Sequence, residues 1–267
     1  MGRSGLDFAS VMEPRASYII CCIPRTGSWL LSETLQSTGI AGQPREFFDP
    51  VNRERFIRSW GISPESDYSE FFYRVVKEAT TANGVFGVKV HWYQFEDLLS
   101  RLQSLPQFKS VPAHCLMARL LPNLQYVHLA RRDKVRHAVS YARASQTKIW
   151  WELEASHNQG KRVLARTPQF NAAALDHMFQ LIREHERCWR RYFRRCGVAP
   201  FPVFYEDLSQ DCVGTVREII KFLGIPVFRD DVIKTPRLRR QADDLSELWV
   251  RQYRLIRSAR RTESAGV

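Results

Sequence analysis

Between a β-branched run and an apolar helical pattern, the chain inserts Pro24-Arg25-Thr26-Gly27-Ser28, residue types suited to holding an anion. Arg25 carries a permanent charge on a planar fork, and Thr26 and Ser28 carry hydroxyl donors. A tight strand-to-helix turn adds backbone N–H groups aimed at one spot, with the positive end of a helix dipole behind them. The chemistry indicated is capture of a phosphate. The GxxxxGK[ST] pattern of nucleoside triphosphatases does not fit, because no glycine stands five residues before Gly27 and the Lys-[ST] pair is missing.

A second basic group lies at Arg131-Arg132-Asp133, with Ser140 about two helical turns further on in KVRHAVSYARA. An arginine at a strand end and a serine on the following helix can clasp a further phosphate, the alternative being ordinary surface charge. Two separate sites point to a nucleotide phosphorylated at two positions.

The elements that must position these residues follow from periodicity. Residues 18–23 read as a buried strand and 28–38 as a helix, capped by Ser28, with Leu30, Leu31, Thr34 and Leu35 inward. The loop AGQPREFFDP leads to helical segments at 51–60 and 68–80, then strands at 85–91 and 124–130, the latter followed by a helix. Residues 171–196 form the clearest helix, with Leu175, Phe179, Ile182, Trp189 and Phe193 on its inner stripe. A strand at 202–205 and a helix at 215–223 follow, and 1–16 reads as a loose leader. Strands alternating with helices predict an α/β fold, a central parallel sheet flanked by helices in a single domain over 1–267. Ligands in such sheets bind beyond the carboxyl ends of the strands, which selects the loops at 24–28, 91–93 and 131–133.

With 267 residues, 44% hydrophobic and 25% charged, the chain is long enough for a full core and is not of disordered composition. No apolar run approaches the roughly 20 residues of a membrane span, and the first residues lack a signal-peptide core. Leu6 stands where a myristoylation motif wants Ser or Thr. A cytoplasmic protein with no stable membrane insertion is expected. The six cysteines lack CxxC spacing, so reduced thiols are expected, with no metal site. The net charge of +12 implies an anionic partner: nucleic acid, a membrane surface or a polyanionic small molecule. The basic stretch at 183–195 reads as a solvated helix face, the alternative being a face that docks a membrane or a partner.

Five blocks in order, PRTGSWLL, GQPREFF, NGVFGVKVHW, AVSYARASQTKIW and RRQADDLSELWVRQYR, carry a family likeness over nearly the whole length. The chain resembles the PAPS-dependent sulfotransferases, and more closely the bacterial trehalose 2-sulfotransferase family. The resemblance implies the sulfotransferase fold with its P-loop-like turn, 3'-phosphoadenosine-5'-phosphosulfate (PAPS) as donor, a sugar acceptor with trehalose first, and a homodimer. It places the 5'-phosphosulfate on Arg25, Thr26, Gly27, Ser28 and Trp29. The 3'-phosphate falls to Ser140 with Arg131, by its place at the strand end, or with Arg132, by spacing. Arg240 in RRQADD resembles a late basic segment that reaches back to the nucleotide.

Glu46 matches the presumed catalytic base of the family, and the chemistry agrees, since a sugar hydroxyl needs a positioned group to take its proton. His91 is the competing base. Lys89 either reaches the sulfate or acceptor, or caps the end of its strand. An acceptor platform is expected from Trp92, Tyr93, Trp150, Trp151 and Phe47 with Gln43, Arg45 and Gln146, the alternative being that the aromatics are core. Gln43 stands where a trehalose-specific member tends to carry an acid, which leaves another sugar or a glycolipid head group open. A non-catalytic nucleotide- or nucleic-acid-binding protein is the rival reading, and a nucleotide kinase is opposed by the missing Lys-[ST] pair.

Overall fold

A computed structural model describes residues 14–63, 65–150, 167–226, 233–235 and 243–265. Four strands, β1 (Ala16–Cys22), β2 (Val85–His91), β3 (Leu124–Ala130) and β4 (Phe201–Phe204), form one parallel sheet in the order β2-β1-β3-β4. The leader expected over 1–16 is not loose where it is described: Ala16 opens β1, and the Arg15 N–H donates to the Gly84 carbonyl at 2.7 Å. Register aligns Cys22 with His91 and Ala130 with Phe204, so all four carboxyl ends lie along one edge. With β1 central, the segment that leaves it is flanked by the ends of β2 and β3.

Both faces of the sheet are covered, which is why β1 and β2 read as continuous apolar runs rather than alternating ones. On one face Ile19, Cys21, Val88 and Val90 pack with Phe95 and Trp189; on the other Tyr18, Ile20 and Cys22 pack with Leu31, Leu35, Val127 and Ile219. The helices among the described residues are α1 (Ser28–Ser37), α2 (Pro50–Trp60), α3 (Tyr68–Ala79), α4 (Trp92–Gln103), α5 (Ala113–Leu120), α6 (Lys134–Thr147), α7 (Ala172–Cys196), α8 (Tyr205–Gln210), α9 (Cys212–Phe222) and α10 (Asp244–Ala265). The expected helix at 215–223 begins earlier because Asp211 caps it, accepting from the Gly214 N–H at 2.8 Å. On α7 the expected stripe is buried, while Arg183, Arg187, Arg190 and Arg194 lie in solvent.

Periodicity had left α4, α5, α8 and α10 unassigned. The last of these buries Trp249, Val250 and Tyr253 against α6 and α7. Ion pairs bind α10 to α6: Arg136 Nη2 to Glu247 at 2.9 Å, Arg143 Nη2 to Asp243 at 2.9 Å, and Arg254 to Asp133 at 2.6 Å. Among the described residues no helix is long and apolar enough to cross a membrane.

Candidate active site

The segment leaving β1 is a turn with two left-handed residues, Arg25 at φ 73° and Gly27 at φ 82°. Glycine is needed at 27 twice over: a Cβ there would also stand 2.8 Å from Tyr205 Cδ2. Gly27, not Ser28, is the N-cap of α1, and Ser28 is its first helical residue. Ser28 therefore offers a first-turn N–H, one of the donors a helix leaves unpaired. Thr26 was expected as a donor to a ligand, but its buried hydroxyl donates to the Ile23 carbonyl at 2.9 Å and braces the turn itself. Trp29 follows, half-buried, on α1.

From the far side, α6 reaches the same turn. Arg25 Nε donates to Ser140 Oγ at 3.1 Å, and its Nη1 donates to the Trp150 carbonyl. Burial and then the neighbouring Arg131 lower the proton affinity of Arg25 to about 10. Arg131 lies over the Tyr205 ring, 4.4 Å from its centre, and that same ring packs on Gly27. Arg132 points elsewhere: it lies over Phe204 and makes two 2.6 Å bonds to Asp207 in solvent. Of the two arginines, Arg131 is the one brought to the turn.

The loop between α1 and α2 carries Glu46 to the end of β2. Arg45 lends its carbonyl to the Lys89 N–H at 3.2 Å, and the buried rings of Phe47 and Phe48 anchor the loop just beyond the acid. Glu46 Oε1 stands 2.7 Å from Lys89 Nζ and 3.4 Å from His91 Nε2, and Oε2 accepts from Gln94 Nε2 at 3.2 Å. Gln94 is itself fixed, since its Oε1 accepts from the His91 N–H at 2.9 Å. Burial alone would raise the Glu46 carboxyl, but the His91 and Lys89 charges outweigh it and hold it well below the ordinary carboxylate range. Burial draws His91 down, while the Cys22 sulfur, 3.3 Å from Nδ1, and Glu46 outweigh that and push it up to about 10. At neutral pH the cluster is a carboxylate between two cations. Lys89 thus faces Glu46, an arrangement that neither reading of it anticipated.

The acceptor residues fare unevenly. Trp92 packs edge-on against Trp189 at 5.0 Å and belongs to the core, as does Phe47. Its neighbour Tyr93 is 41% exposed, stacks on His91 at 6.0 Å and accepts from Gln94 Nε2 at 3.2 Å. Trp150, 42% exposed, meets Tyr141 edge-on at 6.0 Å. Gln43 is half-buried in the loop, and Arg45 is exposed with Nε on Gln36 Oε1 at 3.1 Å. Both ends of the Gln146 amide are committed to the Gln169 backbone, at 2.8 and 3.0 Å, so it ties two segments together rather than facing a ligand. Trp151 and Arg240 lie outside the described residues. Gln94 and Tyr205 were missed, although the strand-end rule marks both, one just after β2 and the other just after β4. Among the described residues no group of His, Cys, Asp and Glu is placed to hold a metal.

Comparison with known proteins gives this geometry a family. Across 89% of this chain and 94% of theirs, two trehalose 2-sulfotransferases are similar to it, that of Mycobacterium tuberculosis at 28% identity and that of Mycolicibacterium smegmatis at 29%. Among solved structures, a sulfotransferase from Alicyclobacillus acidocaldarius overlaps 88% of the chain and 89% of its own length at a TM-score of 0.43 and 16% identity. The pattern of the Stf0 sulphotransferases matches residues 17–255, and the chain belongs to that sulfotransferase family.

Proposed function

We propose that the protein transfers the sulfuryl group of PAPS to a sugar hydroxyl, the 2-hydroxyl of trehalose before others, by in-line transfer with Glu46 as general base. The observation that carries this reading is the register Cys22 to His91, which sets the Glu46–Lys89–His91 cluster beside the basic turn. The residues fit the donor. First-turn N–H groups of α1, the turn amides and Arg25 suit the 5'-phosphosulfate. Arg131 and Ser140 suit the 3'-phosphate: Ser140 Oγ accepts from Arg25 and keeps its own proton to donate.

PAPS supplies an activated sulfuryl group on a phosphate leaving group. Sulfuryl transfer is chemically akin to phosphoryl transfer, with a loose transition state and charge gathering on the bridging oxygen. Arg25 and the turn amides stabilise that charge. Glu46 orients the acceptor hydroxyl and takes its proton as the new bond completes. Its Oε2 is the atom for this, because Lys89 and His91 crowd Oε1. Tyr93 and Trp150 flank the acceptor, with Gln43 and Arg45 on the loop that holds the base. Gln43 in place of an acid favours, as second reading, another sugar or a glycolipid head group. The proposal includes a homodimer, which the family likeness implies, a cytoplasmic setting, and no role in nucleic-acid binding.

Incubation with radiolabelled PAPS and a panel of sugars, followed by mass analysis, tests the reaction and names the acceptor. Glu46→Gln should abolish turnover while binding of 3'-phosphoadenosine-5'-phosphate (PAP) stays near wild type. Retention of most activity would remove Glu46 as the base.

A further inference from the structure

One buried side chain holds the basic turn from outside and has no part in the mechanism above. His137 lies on α6, fully buried, three residues before Ser140, so both meet the turn from the same side of the helix. Its Nε2 stands 2.7 Å from the Pro24 carbonyl oxygen. A carbonyl can only accept, so Nε2 carries the ring proton and Nδ1 a lone pair. That Nδ1 is buried without a hydrogen-bond partner among the described residues. Burial, joined by the charges of Arg131, Lys134 and Arg25, outweighs the bond to Pro24 and keeps the ring neutral, pushed down to about 3. An apolar side chain would fill this space without stranding a nitrogen. The imidazole is explained by what its N–H holds.

What it holds is the peptide that enters Arg25. At φ 73° Arg25 occupies the left-handed region, which a residue with a Cβ keeps only when its surroundings impose it. The direction of the Pro24 carbonyl sets the plane of the Pro24–Arg25 peptide and therefore the direction of the Arg25 N–H. We infer that His137 is a positioning residue for donor binding: its Nε2–H pins the Pro24 carbonyl, so that Arg25 stays left-handed and its guanidinium stays on Ser140. Helix α6 then grips the turn at two points, His137 to Pro24 and Ser140 to Arg25, and joins the two phosphate sites into one rigid unit. The inference rests on the reading of the turn as the donor site.

Calorimetric titration of PAP into wild type, His137→Leu and His137→Gln tests it. Glutamine can place an amide N–H near the position of Nε2–H, whereas leucine cannot. Loss of one hydrogen bond predicts a dissociation constant about tenfold weaker for His137→Leu, with His137→Gln within about threefold of wild type. Wild-type affinity in His137→Leu, or equal weakness in both variants, overturns the positioning role while leaving the donor reading intact. No PAP binding by wild type removes the donor reading and this role with it. Should His137→Leu fail to fold, nitrogen NMR of histidine-labelled wild type decides: a neutral Nε2–H ring whose proton stays protected when PAP is added is expected, and an Nδ1–H ring, or loss of the bond on PAP binding, refutes the role.

Discussion

Replacing His91 by glutamine should flatten the decline of stability in mild alkali. The ring lies between Cys22 Sγ and Glu46 Oε1, at 3.3 and 3.4 Å, in a site only 5% exposed. Burial lowers its proton affinity, but the Cys22 sulfur and the Glu46 carboxylate more than offset this and push it up to about 10 from 6.5. Between those values the folded chain holds a proton that the unfolded chain has released. Stability from that proton is therefore complete below about pH 6.5 and is lost as pH rises through about 10. One proton corresponds to about 1.4 kcal/mol per pH unit, or roughly 2–3 kcal/mol from pH 7 to 9. Glu46 works in the other direction: its folded value is depressed, so its contribution is present above the unfolded carboxyl value and is lost only in acid. It does not interfere in the alkaline window. Urea unfolding at pH 7 and 9 should show the wild-type free energy falling by roughly 2–3 kcal/mol more than that of His91→Gln. Equal falls would mean that the folded ring is already neutral at pH 7, and the ion pair with Glu46 would have to be abandoned.

Gly27→Ala should lower stability by about 2 kcal/mol, from left-handed strain and from the 2.8 Å approach to Tyr205, and should weaken PAP binding. Thermal melts check the first effect, and an unchanged midpoint would contradict the conformation of the turn. Arg131→Ala should raise the KM for PAPS by about tenfold, whereas Arg132→Ala, which gives up an exposed pair with Asp207 and a contact with the Phe204 ring, should stay within about threefold of wild type. Steady-state kinetics on both variants settle the order, and the reverse order would give the 3'-phosphate to Arg132.

The parts that could be read from the chain alone are those written in consecutive residues. The apolar run into Pro24-Arg25-Thr26-Gly27-Ser28 contains its own strand, break and helix start, and the runs at 85–91 and 124–130 announce strands, the first of them buried along its whole length. Together with the strand-end rule, these were enough to select the turn, His91 and the arginine pair as one candidate site. Choices between neighbours were not legible. Trp92 and Tyr93 are both aromatic, yet a helix that begins at Trp92 turns successive side chains about 100° apart, sending one onto Trp189 and the other beside His91. Arg131 and Arg132 are told apart by what the end of β4 and the start of α8 offer each: the Tyr205 ring to one, the Phe204 ring and the Asp207 carboxylate to the other. His137 falls on the inner side of α6 and reads as one more buried position until Pro24, 113 residues away, supplies its partner. Glu46 meets Lys89 and His91 only because its loop is drawn along β2 by the Arg45 carbonyl and anchored by two phenylalanines. Turn chemistry and periodicity are local, so sequence alone determined the four strands, six of the ten described helices and the edge where the candidate site lies. Which side chain faces which depends on segments distant in the chain, and the strand order β2-β1-β3-β4 decided that.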